Sequence, residues 1–327
     1  MNSTVLVAGL PVLWLLALLW RDGFRLPPVA APTTKFTHVL PAILQIILFS
    51  YWALYWPPVI EHMPLIGIQL VLAYAIDILL AWTLRRPYSP NFGPLPVVLS
   101  ANLFVWFPDD FAYYAVAIAV ALGSKALLRS GGRHIFNPSV FGLSVIGVLT
   151  IALPRVFRYA DVSHDFDRPP HMALLILLLA LIPQIRLRTA PLSVGAALAM
   201  IGMMLIVLSV TGYHGAPSPW WPAWLLTITL LAGDPATIPT GSAARLLFGL
   251  FLGVAFYTVS RALLFTVETD TFSKIIPIPV ANYLVPFFER EGQKLSTLWP
   301  ALRRETVNRA YIALWVSMSL LVLIAGG

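Results

Sequence analysis

The sequence predicts an all-α fold, a polytopic bundle of transmembrane helices, from its composition and from the spacing of its apolar stretches. Hydrophobic residues make up 59% of the 327 residues and charged residues 11%, and the mean hydropathy is +0.82. A soluble domain carries about 45–50% apolar and about 25% charged residues. This chain therefore has too little polar surface to cover a body exposed to water, and we expect membrane lipid to surround it.

Twelve apolar stretches, bounded by charges and prolines, predict the membrane crossings in order along the chain. They lie near 4–20, 39–56, 65–84, 92–107, 112–128, 136–153, 171–185, 190–212, 222–238, 244–266, 272–288 and 307–325. At roughly 20 residues for each crossing, the chain has room for about ten to twelve spans and for no large soluble domain. The stretches 92–107, 222–238 and 272–288 are the weakest, because the first is short and prolines interrupt or end the other two.

The lysines and arginines predict the orientation, because cytoplasmic loops of membrane proteins carry an excess of basic residues. Alternate loops on one side hold only Arg155, Arg158, Arg168 and Lys274, whereas the loops on the other side hold most of the remaining basic residues. The strongly basic side is therefore expected to face the cytoplasm, with both termini outside. The same rule accounts for the net charge of +7, so we predict no nucleic-acid partner.

Two features are expected at the membrane–water interfaces. Tryptophans near the predicted span ends favour an aromatic belt over a set of stacking platforms. They are Trp52, Trp56, Trp106, Trp220, Trp221, Trp224 and Trp299. The segment 289–306 mixes charges with Leu and Trp and predicts a short helix that lies in the inner interface.

The first candidate binding motif is GSKALLRSGGRHIFNPSVFG, at 123–142. Its candidate ligand-binding residues are Lys125, Arg129, Arg133, His134, Asn137 and Pro138. Gly131 and Gly132 let backbone amides approach a ligand closely, and basic side chains beside free helix-terminal amides are typical of an anion site. The plain alternative, which composition alone favours, is a basic inner loop that ends at a proline-initiated helix.

The second candidate motif is AGDPATIPTGSAARLLF, at 232–248. Its candidate residues are Asp234, Pro235, Thr237 and Arg245. The predicted topology puts this break on the same inner side as the first, and irregular backbone at membrane depth is tolerated only where it is buried or lines a cavity. The two breaks are therefore predicted as two walls of one site, with two independent loops as the alternative.

Asp77 is the candidate catalytic group, because it lies inside a predicted span. An intramembrane carboxylate is costly and by default marks a cation or proton path. The alternative is a protonated carboxyl that donates a hydrogen bond to Gln45, Asn102 or a backbone carbonyl.

We predict no metal site. The chain has no cysteine, which excludes thiolate iron–sulfur ligation and disulfides. The histidines form no pair that faces one ligand within a span. One external set resembles metal ligands, namely Asp161, His164, Asp165, Asp167 and His171. A solvated loop is the favoured interpretation of that set.

These motifs follow one another in an order that resembles a known family. It contains the flavin-carrying B subunit of sodium-translocating NADH:quinone reductase and the D subunit of the Rnf electron-transport complex (the NqrB/RnfD family). The matching features are, in chain order, Asp77 with Arg85 and Arg86, PNFGPLP at 90–96, Lys125, Gly132 and Arg133 before Asn137 and Pro138, Asp234 with Pro235, Arg245 with Gly249, Arg261, and ANYLVPFFE. The resemblance covers roughly 65–310, and the two proline motifs in the correct order make it fairly specific.

The resemblance implies an architecture and a chemistry. It implies a ten-helix core at 39–288, with an extra N-terminal helix and linker at 1–38 and an interfacial segment and C-terminal helix at 289–327 as additions. It also implies flavin as the cofactor, a bacterial cytoplasmic membrane as the location, and electron transfer toward a quinone or a partner redox subunit. The chain would then be an electron-transfer subunit of an oxidoreductase complex.

One family signature is missing. The family attaches FMN through a phosphoester to the threonine of Ser-Gly-Ala-Thr, in the external loop that corresponds to 154–170, whereas this chain has DVSHDFDRPP there and no such tetrapeptide anywhere. Ala244 also stands where the family has Gly before Arg. We therefore expect riboflavin or FMN to be held noncovalently. The departure resembles stand-alone members of the family, including membrane proteins encoded in enediyne biosynthesis clusters.

Three functions follow as hypotheses. In the leading one, a flavin lies between the two broken helices, and Asp77 couples a cation or a proton to electron transfer. The residues expected to neutralise or hydrogen-bond that flavin are Lys125, Arg129, Arg133, Asn137, Asp234 and Thr237. The second hypothesis is a carrier or channel for an ion or a small apolar metabolite. The third is a membrane anchor for a redox or biosynthetic partner.

Overall fold

The computed structural model describes residues 3–33, 36–108, 110–154, 156–212, 218–267, 270–299 and 305–325. It is 74% helical, so the predicted helical class is confirmed. The chain divides into two compact units, 1–134 with 138–163 and 135–137 with 164–327. Of the basic residues counted for the orientation, Lys35, Arg155, Arg303 and Arg304 lie outside the described residues.

The first unit is built from helices that pack around α3. Its helices are α1 (Ser3–Arg21), α2 (Phe36–Tyr55), α3 (Pro57–Thr83), α4 (Pro94–Asn102), α5 (Phe111–Leu127) and α6 (Pro138–Ala152). α3 contacts α1, α2, α4 and α5, and α5 lies along α6. Gly142 permits that close approach, because a Cβ at this position would collide with the carbonyl oxygen of Ala117.

α3 begins at Pro57, well before the predicted start at 65. Pro57 and Pro58 fit the first turn of a helix because the amides there need no partner within the helix. Pro64, which suggested a boundary, lies inside the helix. As a result His62 is a helical residue rather than a loop residue.

Two short antiparallel strand pairs accompany the helices. β1 (Val105–Trp106) pairs with β4 (Ala160–Asp161), and β2 (Arg129–Ser130) pairs with β3 (Arg133–His134). The first pair joins the end of the predicted span 92–107 to the loop predicted at 154–170. That span is therefore not one continuous helix, because α4 is only nine residues long and ends before β1.

The second unit holds the two remaining proline-interrupted stretches. Its helices are α7 (Met172–Arg186), α8 (Ala190–Thr211), α9 (Pro222–Leu226), α10 (Ser242–Val267), α11 (Pro277–Tyr283), α12 (Val285–Leu298) and α13 (Glu305–Ala325). A π-helical turn, Thr227–Leu231, continues α9, and a 3-10 turn, Thr271–Lys274, precedes α11. The predicted spans 222–238 and 272–288 are therefore each divided into short pieces.

Glycines set the distance between α8 and α10. A Cβ at Gly249 would collide with the carbonyl oxygen of Leu192, and one at Gly253 would collide with the carbonyl oxygen of Ala196. Gly195 of α8 meets the Leu246 carbonyl in the same way. Small residues four apart allow two helix backbones to pack closely, which is the usual arrangement between helices in membranes.

Three helices are long and apolar enough to cross a membrane, judged by length and composition: Pro57–Thr83, Ala190–Thr211 and Ser242–Thr266. In the other apolar helices, the stretches whose side chains the structure describes have 10–17 residues. A helix that crosses a bilayer needs about 20 residues. This criterion therefore supports three of the predicted crossings and does not support the count of ten core spans.

α12 covers the first part of the segment predicted as an interfacial helix at 289–306. It packs against α10 with Phe288 and Gly292 buried. A Cβ at Gly292 would collide with the backbone of Ala244, so the two helices are in close contact there. Leu298 and Trp299 at its end are exposed.

Candidate functional site

Within the second unit, a buried network of amide hydrogen bonds joins Asn137 to Asn282 of α11 and to the segment that contains the Asp-Pro break. The Asn137 carboxamide donates to the carbonyl oxygen of Leu231 at 2.9 Å, at the end of the π-helical turn. The Asn137 backbone N–H donates to Oδ1 of Asn282 at 3.1 Å, and Nδ2 of Asn282 donates to the carbonyl oxygen of Thr237 at 3.0 Å. Asn137 is 8% exposed and Asn282 2%. Because buried polar groups need partners, this network fixes both breaks in one arrangement.

The Asp-Pro break is a compact turn between the π-helical turn and α10. The backbone carbonyl of Asp234 accepts from the amide of Thr237 at 3.0 Å and from its hydroxyl at 3.3 Å. Oδ1 of Asp234 accepts from the amide of Ala236 at 3.1 Å. Thr237 is buried, whereas Asp234 and Pro235 are only half-buried. A carboxylate therefore reaches the surface of this turn.

Arg245, in the first turn of α10, stabilises the segment between the Asp-Pro break and α10. Its Nε donates to the carbonyl oxygen of Pro239 at 2.7 Å, and its Nη1 donates to the carbonyl oxygens of Leu187 at 2.6 Å and Arg188 at 2.7 Å. The residue is 9% exposed. The guanidinium thus binds three backbone carbonyls that helix and loop ends leave without helical partners, and these contacts give it a structural role.

A small polar cavity lies at the start of α10. Its volume is about 190 Å³, and its lining residues are Thr240, Gly241, Ala244, Glu289, Gly292, Gln293 and Ser296. The Thr240 hydroxyl donates to Oε1 of Glu289 at 3.3 Å across it. Pockets for drug-sized ligands occupy about 300–1,000 Å³, so this cavity is too small for a complete flavin.

In the first unit, the Gly-Gly sequence forms a tight hairpin turn between β2 and β3. Gly131 and Gly132 have φ of 57° and 81°, the left-handed region that two-residue hairpin turns require and glycine adopts without strain. Arg129 faces His134 across the strands, and its guanidinium donates to the carbonyl oxygen of Gly132. Arg129 and Arg133 are both exposed. The hairpin therefore presents two cations to its surroundings.

Asp77 and Lys125 both approach the loop that precedes α4. Oδ2 of Asp77 accepts from Nδ2 of Asn91 at 3.2 Å, and Oδ1 of Asn91 accepts from the Gly93 amide at 2.7 Å. A Cβ at Gly93 would collide with Nζ of Lys125 and with Oδ1 of Asn91. Burial, with the charge of Asp77, raises the pKa of the loop residue Tyr88 to about 12. The same loop is thus approached by a carboxylate at Asn91 and by an ammonium at Gly93.

Three of the tryptophans predicted as an aromatic belt stack on one another in the first unit. The ring centroids of Trp52 and Trp56 are 5.0 Å apart, and those of Trp56 and Trp106 are 5.2 Å apart with an interplanar angle of 15°. The His62 ring lies 4.1 Å from that of Trp106, tilted by only 7°. The centroids of Trp52 and Trp106 are themselves 6.2 Å apart, so the four rings form one compact cluster.

His62 also belongs to a polar network inside the first unit. Its Nε2 lies 3.0 Å from Oδ1 of Asn102 and 3.3 Å from the hydroxyl oxygen of Tyr114. The Asn102 amide nitrogen donates to Gln69 at 2.7 Å and to the carbonyl oxygen of Val98 at 2.9 Å, which leaves its oxygen toward His62. His62 Nε2 is therefore the protonated nitrogen that donates to Asn102.

A buried ion pair lies beyond the end of α10. Nζ of Lys274 is 3.0 Å from Oδ1 of Asp270, and Nε2 of the exposed His164 is 3.3 Å from the same oxygen. Asp270 is 6% exposed and Lys274 2%. Burial raises the pKa of Asp270, but the hydrogen bonds and charges of His164 and Lys274 outweigh it, so the pKa lies below its ordinary value. The carboxyl is therefore ionised at neutral pH.

The residues predicted for one ligand are distributed over both units. Those of the first unit are Asp77, Lys125, Arg129, Arg133, His134 and Pro138, and those of the second are Asn137, Asp234, Pro235, Thr237 and Arg245. His134 is half-buried in β3, and Pro138 begins α6.

Sequence reasoning passed over Asn282, Asp270 and Lys274. Asn282 stands in the motif ANYLVPFFE, where its position between prolines was the available signal. Asp270 and Lys274 are opposite charges four positions apart, which is the spacing of an ion pair across one helical turn.

No protein-family model matches the chain, and no curated protein matches it either.

Proposed function

We propose that this protein is a multi-pass membrane protein, a divergent relative of the NqrB/RnfD family, that binds riboflavin or FMN noncovalently and assists membrane electron transfer. Its support is the motif order in the sequence, the apolar composition and the three helices long enough to cross a bilayer. The chain would act with a quinone or a partner redox subunit in the bacterial cytoplasmic membrane. Its full set of crossings, the ten-helix core and two additions, is part of this proposal.

The observation that carries the proposal is the amide network around Asn137, Thr237 and Asn282. It holds an Asn-Pro break and an Asp-Pro break in one place, where the π-helical turn ends. Broken helices that meet in this way are typical of ligand sites in membrane proteins, and π-helical turns are frequent at functional sites. A ligand held there would contact backbone that the network has already fixed.

Asp234 is the group we propose for direct contact with the flavin. The isoalloxazine ring carries one imide N–H, and a carboxylate is a strong acceptor for such a donor. Asp234 is half-buried at the surface of the turn, whereas the hydroxyl of Thr237 donates to the Asp234 carbonyl within the turn. Thr237 and Asn137 would therefore position the backbone around the ligand, while Asp234 meets it.

The direct test is an absorbance spectrum of gently purified protein, combined with mass spectrometry of the intact chain. We expect flavin absorbance, either retained or gained on adding riboflavin or FMN, and a denatured mass equal to that of the bare polypeptide. Protein that shows no flavin and gains none would contradict the proposal. A mass increased by FMN would contradict noncovalent binding.

Variants locate the site in the same assay. Asp234→Asn keeps the shape of the side chain and removes its charge, so we expect flavin affinity to fall by about tenfold, equivalent to about 1.4 kcal/mol. Glu291→Gln, which changes a carboxylate of α12 paired with Lys294, is the matched control.

The carrier or channel hypothesis is supported by a separate observation in the first unit. Gln69 and Asn102 are fully buried polar residues that bond to each other, and Gln69 lies in α3, one of the three long apolar helices. Buried polar groups in a spanning helix mark transport pathways in many membrane proteins. Uptake of an ion other than the proton by liposomes containing the protein, without any flavin, would favour this function over electron transfer.

A further inference from the structure

The exposure of the side chains decreases from His164 at the surface, through Asp270, to Lys274 in the interior. The His164 side chain is 61% exposed, that of Asp270 8% and that of Lys274 2%. Both nitrogens contact the same carboxylate oxygen, Oδ1 of Asp270, at 3.3 Å and 3.0 Å. Three titratable groups thus form a continuous hydrogen-bonded series with one end in solvent.

The inner end of this series, the Lys274 ammonium, is shielded from water but has polar and aromatic contacts within the protein. Nζ of Lys274 also lies 3.4 Å from the backbone carbonyl oxygen of Asp270 and 5.3 Å from the centroid of the Trp224 ring. A cation over the face of an indole is stabilised by the negative face of the ring. The ammonium is therefore satisfied by the carboxylate, a carbonyl and an aromatic face, without solvent.

α10, which packs against the turn that carries Lys274, contains two further proton-bearing groups. The Tyr257 hydroxyl and the Ser260 hydroxyl are buried, with 1% and 0% of their residues exposed, and neither has a hydrogen-bond partner among the described residues. The Trp224 indole N–H shares this property. Buried polar groups are almost always paired, and of these three groups the two hydroxyls can both accept and donate a hydrogen bond.

His164 and Lys274 both lower the pKa of the Asp270 carboxyl. α10 also carries Arg261, next to Ser260, and on the segment of His164 the carboxylate of Asp165 pairs with Arg168.

We propose that His164, Asp270 and Lys274 form the entrance of a proton-conducting route into the second unit. A proton bound at Nε2 of His164 moves to Oδ1 of Asp270, and Lys274 releases one of its own protons toward the interior. The proton on Asp270 then restores the lysine ammonium, and His164 takes another proton from solvent. Only N–H and O–H bonds are exchanged, no electron moves, and the pair ends in its starting state.

This proposal needs membrane residence but no flavin, so it is tested on the protein in liposomes without added flavin. The liposomes contain a pH-sensitive dye, and a potassium gradient with valinomycin drives protons inward. We expect acidification faster than in protein-free liposomes. His164→Gln should slow it, because the carboxylate then exchanges protons with solvent without its relay.

The decisive variant is Asp270→Asn combined with Lys274→Met, which removes both buried charges together and leaves neither unpaired. We expect its proton flux to fall to that of protein-free liposomes. Asp167→Asn, which changes an exposed carboxylate of the same 3-10 turn as His164 (Ser163–Asp167), should conduct like the unmodified protein. Flux at the protein-free level in the unmodified protein, or unmodified flux in the double variant, would overturn the proposal. Flavin binding, measured on the same preparations, is expected to be unchanged in the double variant, so the two proposals fail separately.

Discussion

The backbone N–H of Asn137 donates a 3.1 Å hydrogen bond to the side-chain oxygen of Asn282, although the residues are 145 positions apart in the chain. The nitrogen of the same Asn282 carboxamide donates to the Thr237 carbonyl at 3.0 Å. One side chain of α11 therefore determines how the Asn-Pro and Asp-Pro breaks meet.

Replacing that side chain should loosen both breaks. Asn282→Leu removes one donor and one acceptor, and leaves the Asn137 amide and the Thr237 carbonyl buried without these partners. Each such loss costs about 1–3 kcal/mol, so we expect a clearly lower unfolding temperature in detergent. Tyr283→Ala, at the neighbouring and largely exposed position, is the control and should change the unfolding temperature little. Equal melting of Asn282→Leu and the unmodified protein would refute the role of the network.

Arg245 is expected to act through stability rather than through ligand contact. Hydrogen bonds to a charged group contribute about 1.5–3 kcal/mol each, and lysine lacks the planar fork that reaches three carbonyls. Arg245→Lys should therefore lower the unfolding temperature strongly, whereas Arg290→Lys, at an exposed position of α12, should not. An Arg245→Lys protein of normal stability with weakened flavin binding would show instead that the guanidinium serves the ligand.

The glycine contacts between α8 and α10 make a sharp prediction about packing. Gly249→Ala places a methyl group against the Leu192 carbonyl, and overpacking of this kind costs about 1–3 kcal/mol. Gly202→Ala in α8 meets no atom within 4 Å, so it should be neutral or slightly stabilising, because alanine favours helix. Thermal unfolding of both variants measures the difference. Equal unfolding temperatures for the two variants would refute the close packing of α8 against α10 at Gly249.

The ion pair predicts how stability depends on pH. The pKa of Asp270 is lowered in the folded protein, so its ionised form contributes stability that is fully present above its unfolded pKa of about 3.9. That contribution is lost as the pH falls through the lower folded value. We expect Asp270→Asn to be less stable than the unmodified protein at neutral pH and to lose less stability between about pH 5 and about pH 2. Unfolding temperatures measured across that range, with Asp167→Asn as control, check this; parallel curves would contradict it.

Much of the helical framework was readable from the sequence because hydrophobicity is a local property. α1, α5, α8 and α10 begin and end within about three residues of the predicted stretches. The predicted stretch for α3 is too short, because Pro57, Pro58 and Pro64 suggested a boundary. The helix includes all three, and a proline in the first turn of a helix costs little. The weak spans 92–107, 222–238 and 272–288 proved to be short pieces, as their prolines and breaks made plausible.

The site residues were less accessible to sequence reasoning. Asn137, Asp234 and Thr237 were selected as polar groups beside proline breaks, and they lie in the same unit of the structure. The sequence did not reveal that Arg245 binds carbonyls, or that Asp270 and Lys274 are buried together. Such pairings depend on which backbone atoms lie nearby, and composition carries no information about them.

By itself, the sequence determined that this is a helical, lipid-compatible protein whose polar residues are few and concentrated at breaks. That follows from the free energy of burying apolar surface, which each residue contributes largely on its own. Only the tertiary structure decided that Asn137 meets Asn282, that His62 stacks on Trp106, and that Lys274 pairs with Asp270. Hydrogen bonds, ring stacking and ion pairs act over a few ångströms, so helix packing selects the partners.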